Sequence, residues 1–223
     1  MNKMIFHVSL MKTLYFNVYY FPIKQAIKLP VLVGRKMKLK NMGARTSVRI
    51  NCEKIKTGMV HLGLPYGSFD KFSGYGYWSV SPNGKVTFGD NNRFKADNKI
   101  VVVGNGELTF GTRVSSNSGF IVSCSKSIRF GDNVLMGWDI TIIDEDGHKI
   151  YDCDGRQINE RKSITIGNDV WIAKGVTLLK GTEIPNGSII GARSILSKKY
   201  EQEKSLIVGN PGCVVKSNVT WER

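Results

Sequence analysis

The sequence predicts an all-β chain wound as a parallel β-solenoid, and three observations lead there. Between Ile164 and Leu196 an aliphatic residue returns every six positions: Ile166, Ile172, Leu178, Ile184, Ile190 and Leu196. That period fits neither an amphipathic helix nor a two-sided strand. It fits short strands joined by turns, each turning one aliphatic inward. Small residues keep step with it, at Gly167, Ala173, Pro185 and Gly191, and at Val170, Val176, Thr182, Ser188 and Ser194. Finally, one signature occurs four times: VTFGDN at 86–91, LTFGTR at 108–113, IRFGDN at 128–133 and ITIGND at 164–169. Three strands make a coil of about eighteen residues, and coils stack at roughly 4.8 Å. The signature spacings of 22, 20 and 36 residues lie near multiples of that coil, so each copy marks the same side of the prism.

In chain order, residues 1–30 hold KTLYFNVYYFPIKQAIKLP, rich in aromatics and lysines. An irregular or partly helical cap is expected there, because the open end of a solenoid bares an unpaired strand edge that invites aggregation. The same composition suits a membrane-surface element, with aromatics at headgroup level and lysines toward anionic lipid. From Val31 to Ile55 basic residues are dense (Arg35, Lys36, Lys38, Lys40, Arg45, Arg49, Lys54) and β-branched ones sparse, so cap and irregular first coils are assigned to 1–55. Residues 60–85 are rich in glycine and aromatics and read as loop-heavy connections. The solenoid is assigned to 56–200 and a closing tail, entered through GNP, to 201–223. Glycine at the fourth place of each signature implies a positive φ or a corner with no room for a Cβ.

The 223 residues carry 32 Lys and Arg against 18 acidic residues, a formal charge of +14. Such an excess favours phosphate-bearing or polyanionic partners. No recognised nucleic-acid module or basic amphipathic helix is present, so a nucleic-acid partner is not expected. Cys52, Cys124, Cys153 and Cys213 are far apart with no CxxC, which favours a reducing compartment over a disulfide framework. There is no apolar run of about eighteen residues to span a membrane. The opening MNKMIFHVSLMKTLYF is interrupted by Lys12 and lacks a small-residue cleavage site, so it reads as retained; Met1 and Met11 are both candidate starts.

The rhythm breaks once. Met136 and Ile142 keep step with Phe130, and then a polar excursion, assigned to 143–163, precedes Ile166. Excursions of that length from a compact fold are usually functional or disordered. This one holds His148 among Asp144, Glu145, Asp146 and Asp152, a setting suited to accepting a proton near neutral pH. One histidine with scattered carboxylates is a poor metal set, and no metal is expected.

At this point the residues carry a family. IRFGDNVLMGWDITI, the histidine loop, ITIGNDVWIAKGVTLLKG, SIIGARSILSK and VGNPGCVVK together resemble the hexapeptide-repeat acyltransferases, in particular the maltose/galactoside and capsule or lipopolysaccharide O-acetyltransferase branch. The resemblance covers most of the C-terminal two thirds. It implies a left-handed parallel β-helix, a homotrimer with sites between subunits, and acetyl-CoA as donor. His148 then stands at the catalytic position as general base. Asn117 and Asp146 are the implied acceptor contacts. Lys174, Ala192, Ser197 and Lys198 fall where the family lines its CoA groove, although Ser197-Lys198-Lys199 departs from the usual Thr-Lys-Asp.

The expected function is O-acetylation of a sugar in surface polysaccharide, with a sugar or lipid-linked glycan as partner and a cytoplasmic setting at the inner membrane face. N-acetylation of an amino or nucleotide sugar is the enzymatic alternative, disfavoured because no GxGxxG follows a strand. A noncatalytic scaffold is the alternative from another class.

Overall fold

Twenty-two short strands form three faces of a triangular prism in the computed structural model, which describes residues 7–65 and 74–223. The first face runs from Val31–Val33 through Val60–Leu62, Asn92–Phe94, Ser115–Ser116, Leu135–Met136, Trp171–Ile172 and Ile189–Ile190 to Leu206–Gly209. The second runs from Met37–Asn41 to Ile195–Leu196 and the third from Val48–Ile50 to Glu183–Ile184. Along each face the neighbours are parallel and come from successive coils, the winding of the left-handed parallel β-helix expected from the sequence. The final hairpin, Leu206–Gly209 with Gly212–Lys216, is the one antiparallel strand pair among the described residues.

The four signatures lie on adjacent rungs of the third face, Val86 registering with Leu108, Leu108 with Ile128 and Ile128 with Ile164. The 36-residue step is therefore a single coil that carries the excursion. Their third residues point inward, and Phe88, Phe110 and Phe130 stack at centroid distances of 5.5 and 4.9 Å. Each buried ring contributes about 2–3 kcal/mol, and each stacked pair about 0.5–1.5 more.

The signature glycine owes its place to space. A Cβ on Gly111 would lie 2.5 Å from the Gly131 carbonyl oxygen, and one on Gly131 would lie 2.7 Å from the Gly167 carbonyl carbon. Positive φ falls two residues later, at Asn91 (58°), Arg113 (60°), Asn133 (55°) and Asp169 (55°). Asn and Asp tolerate that left-handed turn better than other non-glycine residues do, which explains the sixth letter of three copies.

The prism begins at Val31, and its open end is closed by helix α1 (Leu10–Tyr20) followed by the short α2 (Ile23–Ala26). Helix α1 starts at Ser9, whose hydroxyl accepts from the Lys12 amide. Its inner side chains satisfy the bare edge of the first face. The Val33 amide donates to Thr13 Oγ1 at 3.0 Å and the Val31 amide to Asn17 Oδ1 at 3.1 Å, while Asn17 Nδ2 donates to the Val31 carbonyl at 2.7 Å. Phe16 and Tyr20 plug the interior against Trp78, which donates from Nε1 to the Tyr20 hydroxyl at 3.0 Å. Burial pushes that phenol well above its ordinary pKa. Edge amides that would otherwise template a second chain are thereby paired. The glycine-aromatic stretch supplies strands Val60–Leu62 and Gly76–Val80, while its residues 66–73 lie outside the described set.

Candidate active site

The excursion leaves the second face after Thr141–Ile143 and returns to the third at Ile164–Ile166. Its two ends meet, the Lys162 amide donating to the Asp144 carbonyl at 3.3 Å. Asp144 is fully buried, and its carboxylate accepts from the Ser125 and Lys126 amides of the coil below at 2.7 and 2.8 Å. It anchors the loop and is withdrawn from chemistry. Beyond it the chain forms a small hairpin, in which Ile158 donates to the Ile150 carbonyl and Tyr151 bridges Gln157. Asp152 Oδ1 closes the tip by accepting from the Asp154 and Arg156 amides.

Asn159 holds this hairpin in place. Its Oδ1 accepts from the Ile150 amide at 2.7 Å, and its Nδ2 donates to the His148 carbonyl at 2.7 Å and to Asp146 Oδ2 at 2.9 Å. Lys180, from the next coil, pairs with Asp146 and also donates to the Asn159 carbonyl at 3.1 Å. The Lys180 hydrogen bond, then that of Asn159, holds the Asp146 carboxyl below the usual carboxylate range. Arg161 pairs with Glu145 at 2.9 Å. His148 is exposed and lines an open, polar cleft of about 610 Å³ with Lys126, Asp146, Asn159 and Arg161. A fixed main chain and a free imidazole at a cleft suit proton transfer to or from a bound substrate.

The predicted site residues divide between two edges of the prism. His148, Asp146, Ser197 and Lys198 lie on the edge between the second and third faces, the last two in a corner two coils above the loop. Ser197 and Lys198 are exposed, and neither lines the cleft of His148. Asn117, Lys174 and Ala192 lie on the edge between the first and second faces, where successive coils place them in a column. They line an apolar cleft of about 470 Å³ together with Trp138, Trp171, Trp221 and Arg223. Asp146 is thus brought to His148, but Asn117 and Lys174 are not brought to it within one protomer.

Sequence reasoning missed three contributors. Asn159 carries no signal of its own in a polar loop. Lys180 follows Leu179, the register partner of Ile143, so the coil register places it above Asp144 and the signal was there to be used. The tail was assigned only a closing role, yet it lines the apolar cleft: Trp221 lies 6.3 Å from Trp171 and donates to the Asp169 carbonyl, while Arg223 reaches the Ser115 hydroxyl at 2.8 Å. Among the described residues, no group of three His, Cys, Asp or Glu is placed to hold a metal ion.

No protein-family model matches the chain. Individual relatives do. Polysialic acid O-acetyltransferase of Escherichia coli O1:K1 is 31% identical over 135 residues, 60% of this chain and 43% of that protein. The putative lipopolysaccharide biosynthesis O-acetyl transferase WbbJ of Escherichia coli K12 is 25% identical over 157 residues, 65% of this chain and 80% of that protein. Among solved structures, the polySia-specific acetyltransferase NeuO superposes with a TM-score of 0.59 at 25% identity, over 86% of this chain and 80% of that one. The aligned region thus spans less than half of the first relative's length and four fifths of the second's.

Proposed function

We propose that this chain, which is similar to a polysialic acid O-acetyltransferase and a putative lipopolysaccharide O-acetyl transferase in sequence and to a polySia-specific acetyltransferase in structure, moves an acetyl group from acetyl-CoA to a sugar hydroxyl of a surface polysaccharide. The observation that carries the reading is His148, presented at a cleft by the 143–163 excursion from the prism and clamped through its carbonyl by Asn159. The imidazole takes the proton of the acceptor hydroxyl as its oxygen attacks the thioester carbonyl. The tetrahedral adduct collapses with loss of the CoA thiolate, which receives that proton from the imidazolium. No covalent enzyme intermediate is needed; alignment of two substrates and one proton transfer suffice.

The division of residues between two edges fits a homotrimer. A rotational assembly sets one edge of a protomer against a different edge of its neighbour. The His148 loop of one copy would then face Asn117, Lys174 and Ala192 of the next, with the pantetheine lying between them and the tryptophan cleft on the donor side. Ser197 and Lys198, in the corner two coils above the loop, would meet the far end of the donor. A CoA donor sets the reaction in the cytoplasm.

The test is thiol release from acetyl-CoA by wild type and His148→Ala over a panel of sugars, nucleotide sugars and lipid-linked glycans. Loss of the general base should lower turnover by about 10²–10⁴ and leave CoA binding and the fold intact. If the wild type does not bind CoA, the reading falls and a scaffold takes its place.

A further inference from the structure

The cap that closes the prism presents an outer surface unlike the rest of the molecule. Among the described residues fifteen large hydrophobic side chains are exposed, and seven lie on the two cap helices or directly after them: Leu10, Met11, Leu14, Tyr15, Val18, Ile23 and Ile27. Met11 and Ile27 are 83% and 70% exposed. The first five recur at 10, 11, 14, 15 and 18, one stripe of a helix, opposite the buried Thr13, Phe16, Asn17 and Tyr20. Because Thr13 and Asn17 bond the edge of Val31–Val33 along the prism axis, the stripe faces outward along that axis. The only charge within α1, Lys12, is drawn back to the Arg35 and Met37 carbonyls at 2.7 Å each. The stripe is therefore uncharged, and apolar but for the Tyr15 hydroxyl.

Its surroundings are cationic. Before Glu53 the chain has ten Lys and Arg and no Asp or Glu, so this end holds ten of the fourteen net positive charges. Lys24, Lys28, Arg35, Lys40 and Arg45 are exposed around the helices. Lys24 and Lys28 directly follow the exposed Ile23 and Ile27, so cation and apolar side chain are presented together.

We infer that the capped end of the prism docks on an acidic phospholipid surface, with the stripe of α1 and the isoleucines Ile23 and Ile27 seated at the headgroup–acyl boundary and the lysines and arginines against the headgroup phosphates. Apolar burial plus attraction to anionic lipid is what holds an interfacial helix in the membrane plane. A second copy of the chain is the poorer occupant, because pairing these faces would bring ten positive charges against ten. A nucleic acid would leave the apolar stripe unused. No helix among the described residues is long and apolar enough to cross a membrane, so the contact is peripheral. The His148 loop lies in the fifth coil, four steps of roughly 4.8 Å above the first, so docking in this orientation holds it about 20 Å further from the bilayer than the first coil.

Vesicle flotation tests this and requires no turnover. The wild type should float with phosphatidylglycerol-containing vesicles, release with added salt, and ignore pure phosphatidylcholine. M11E/V18E, at two exposed positions of the stripe, should abolish flotation with an unchanged thermal transition. K24Q/K28Q, which leaves the stripe intact, should weaken it about tenfold or more. Failure of the wild type to bind the anionic vesicles, or retention of binding by both variants, overturns the inference. So does ultracentrifugation showing end-to-end pairing of the wild type that M11E/V18E abolishes, which would assign the face to a second copy.

Discussion

Replacing Asn159 by alanine removes three short hydrogen bonds at once, those to the Ile150 amide, the His148 carbonyl and Asp146 Oδ2, besides a long one from Gln157 Nε2 at 3.5 Å. Each intramolecular bond contributes about 0.5–1.5 kcal/mol net, and exposure keeps these three toward the lower end. The loop should therefore lose about 1.5–3 kcal/mol, equivalent to a roughly 10- to 150-fold larger open population. The prism should not register the change, because the loop departs and returns at a single point, Asp144 with Lys162. Hydrogen exchange reads the first effect. The Ile150 amide, whose acceptor is Asn159 itself, and the Ile158 amide should exchange faster, while the third-face amides stay protected. Under the proposed role of His148, turnover should fall about 10- to 100-fold with little change in KM for the donor, since the imidazole is misplaced and the apolar cleft is untouched. Asn159→Asp should not rescue, because it restores the acceptor for Ile150 but brings a carboxylate against Asp146. Wild-type exchange at Ile150 and Ile158 in the alanine variant would refute the reasoning, as would a drop of several degrees in the melting temperature with the loop still protected.

Two further predictions concern the prism. Gly131→Ala drives a Cβ to 2.7 Å from the backbone of Gly167 and should cost about 1–3 kcal/mol by overpacking, read as a lower urea midpoint with unchanged slope; an unmoved midpoint would mean the coils yield at no cost. His61, buried on the second coil between Leu32 of the first and Arg93 of the third, has its pKa lowered from 6.5 to about 4 by burial and, less strongly, by the Arg93 charge. The unfolded chain takes up that proton near 6.5 while the folded chain refuses it until about 4, so stability is lost as pH falls through this window, by up to roughly 3 kcal/mol. His61→Gln should flatten that slope in denaturant midpoints taken from pH 7 to 4, and an unaltered slope would place the titrating group elsewhere.

The prism was legible because its chemistry repeats. An inward residue every sixth position and a glycine with no room for a Cβ are imposed afresh at each rung, so the sequence states them several times over. Asn91, Asn133 and Asp169 are equally regular marks of a left-handed turn, although only the glycine two places before each draws the eye in the letters. The interior of the loop is different. Asn159 acts through partners at separations of 2, 9, 11 and 13 residues, and no period links them. The same holds for the cap, where Asn17 bonds Val31 and Thr13 bonds Val33 across intervals set only by the tertiary path. Trp221 and Arg223 lie beyond the last repeat, and nothing local says that the tail returns along the first face to coils far below.

The arrangement also explains why one corner can carry chemistry without weakening the fold. In a stacked prism each strand bonds only to the coils above and below, so an insertion at a corner disturbs no ladder as long as its ends remain together. Here Asp144 secures the entry by giving its carboxylate to the amides of Ser125 and Lys126, and its carbonyl receives the returning chain from Lys162. Ile142 below and Ile164 above keep their registers with Leu178 and Ile128 as though nothing intervened. Closing such a loop costs an entropy that grows only slowly with its length. The hairpin is then free to vary in what it presents: Asn159 ties its parts to one another, and Lys180 and Lys126 of the neighbouring coils tie it to the frame. Where His148 stands relative to the prism therefore rests on a few side chains, Asn159 and Lys180 first among them, and under the proposed role these are positions at which turnover can be lost while the fold survives.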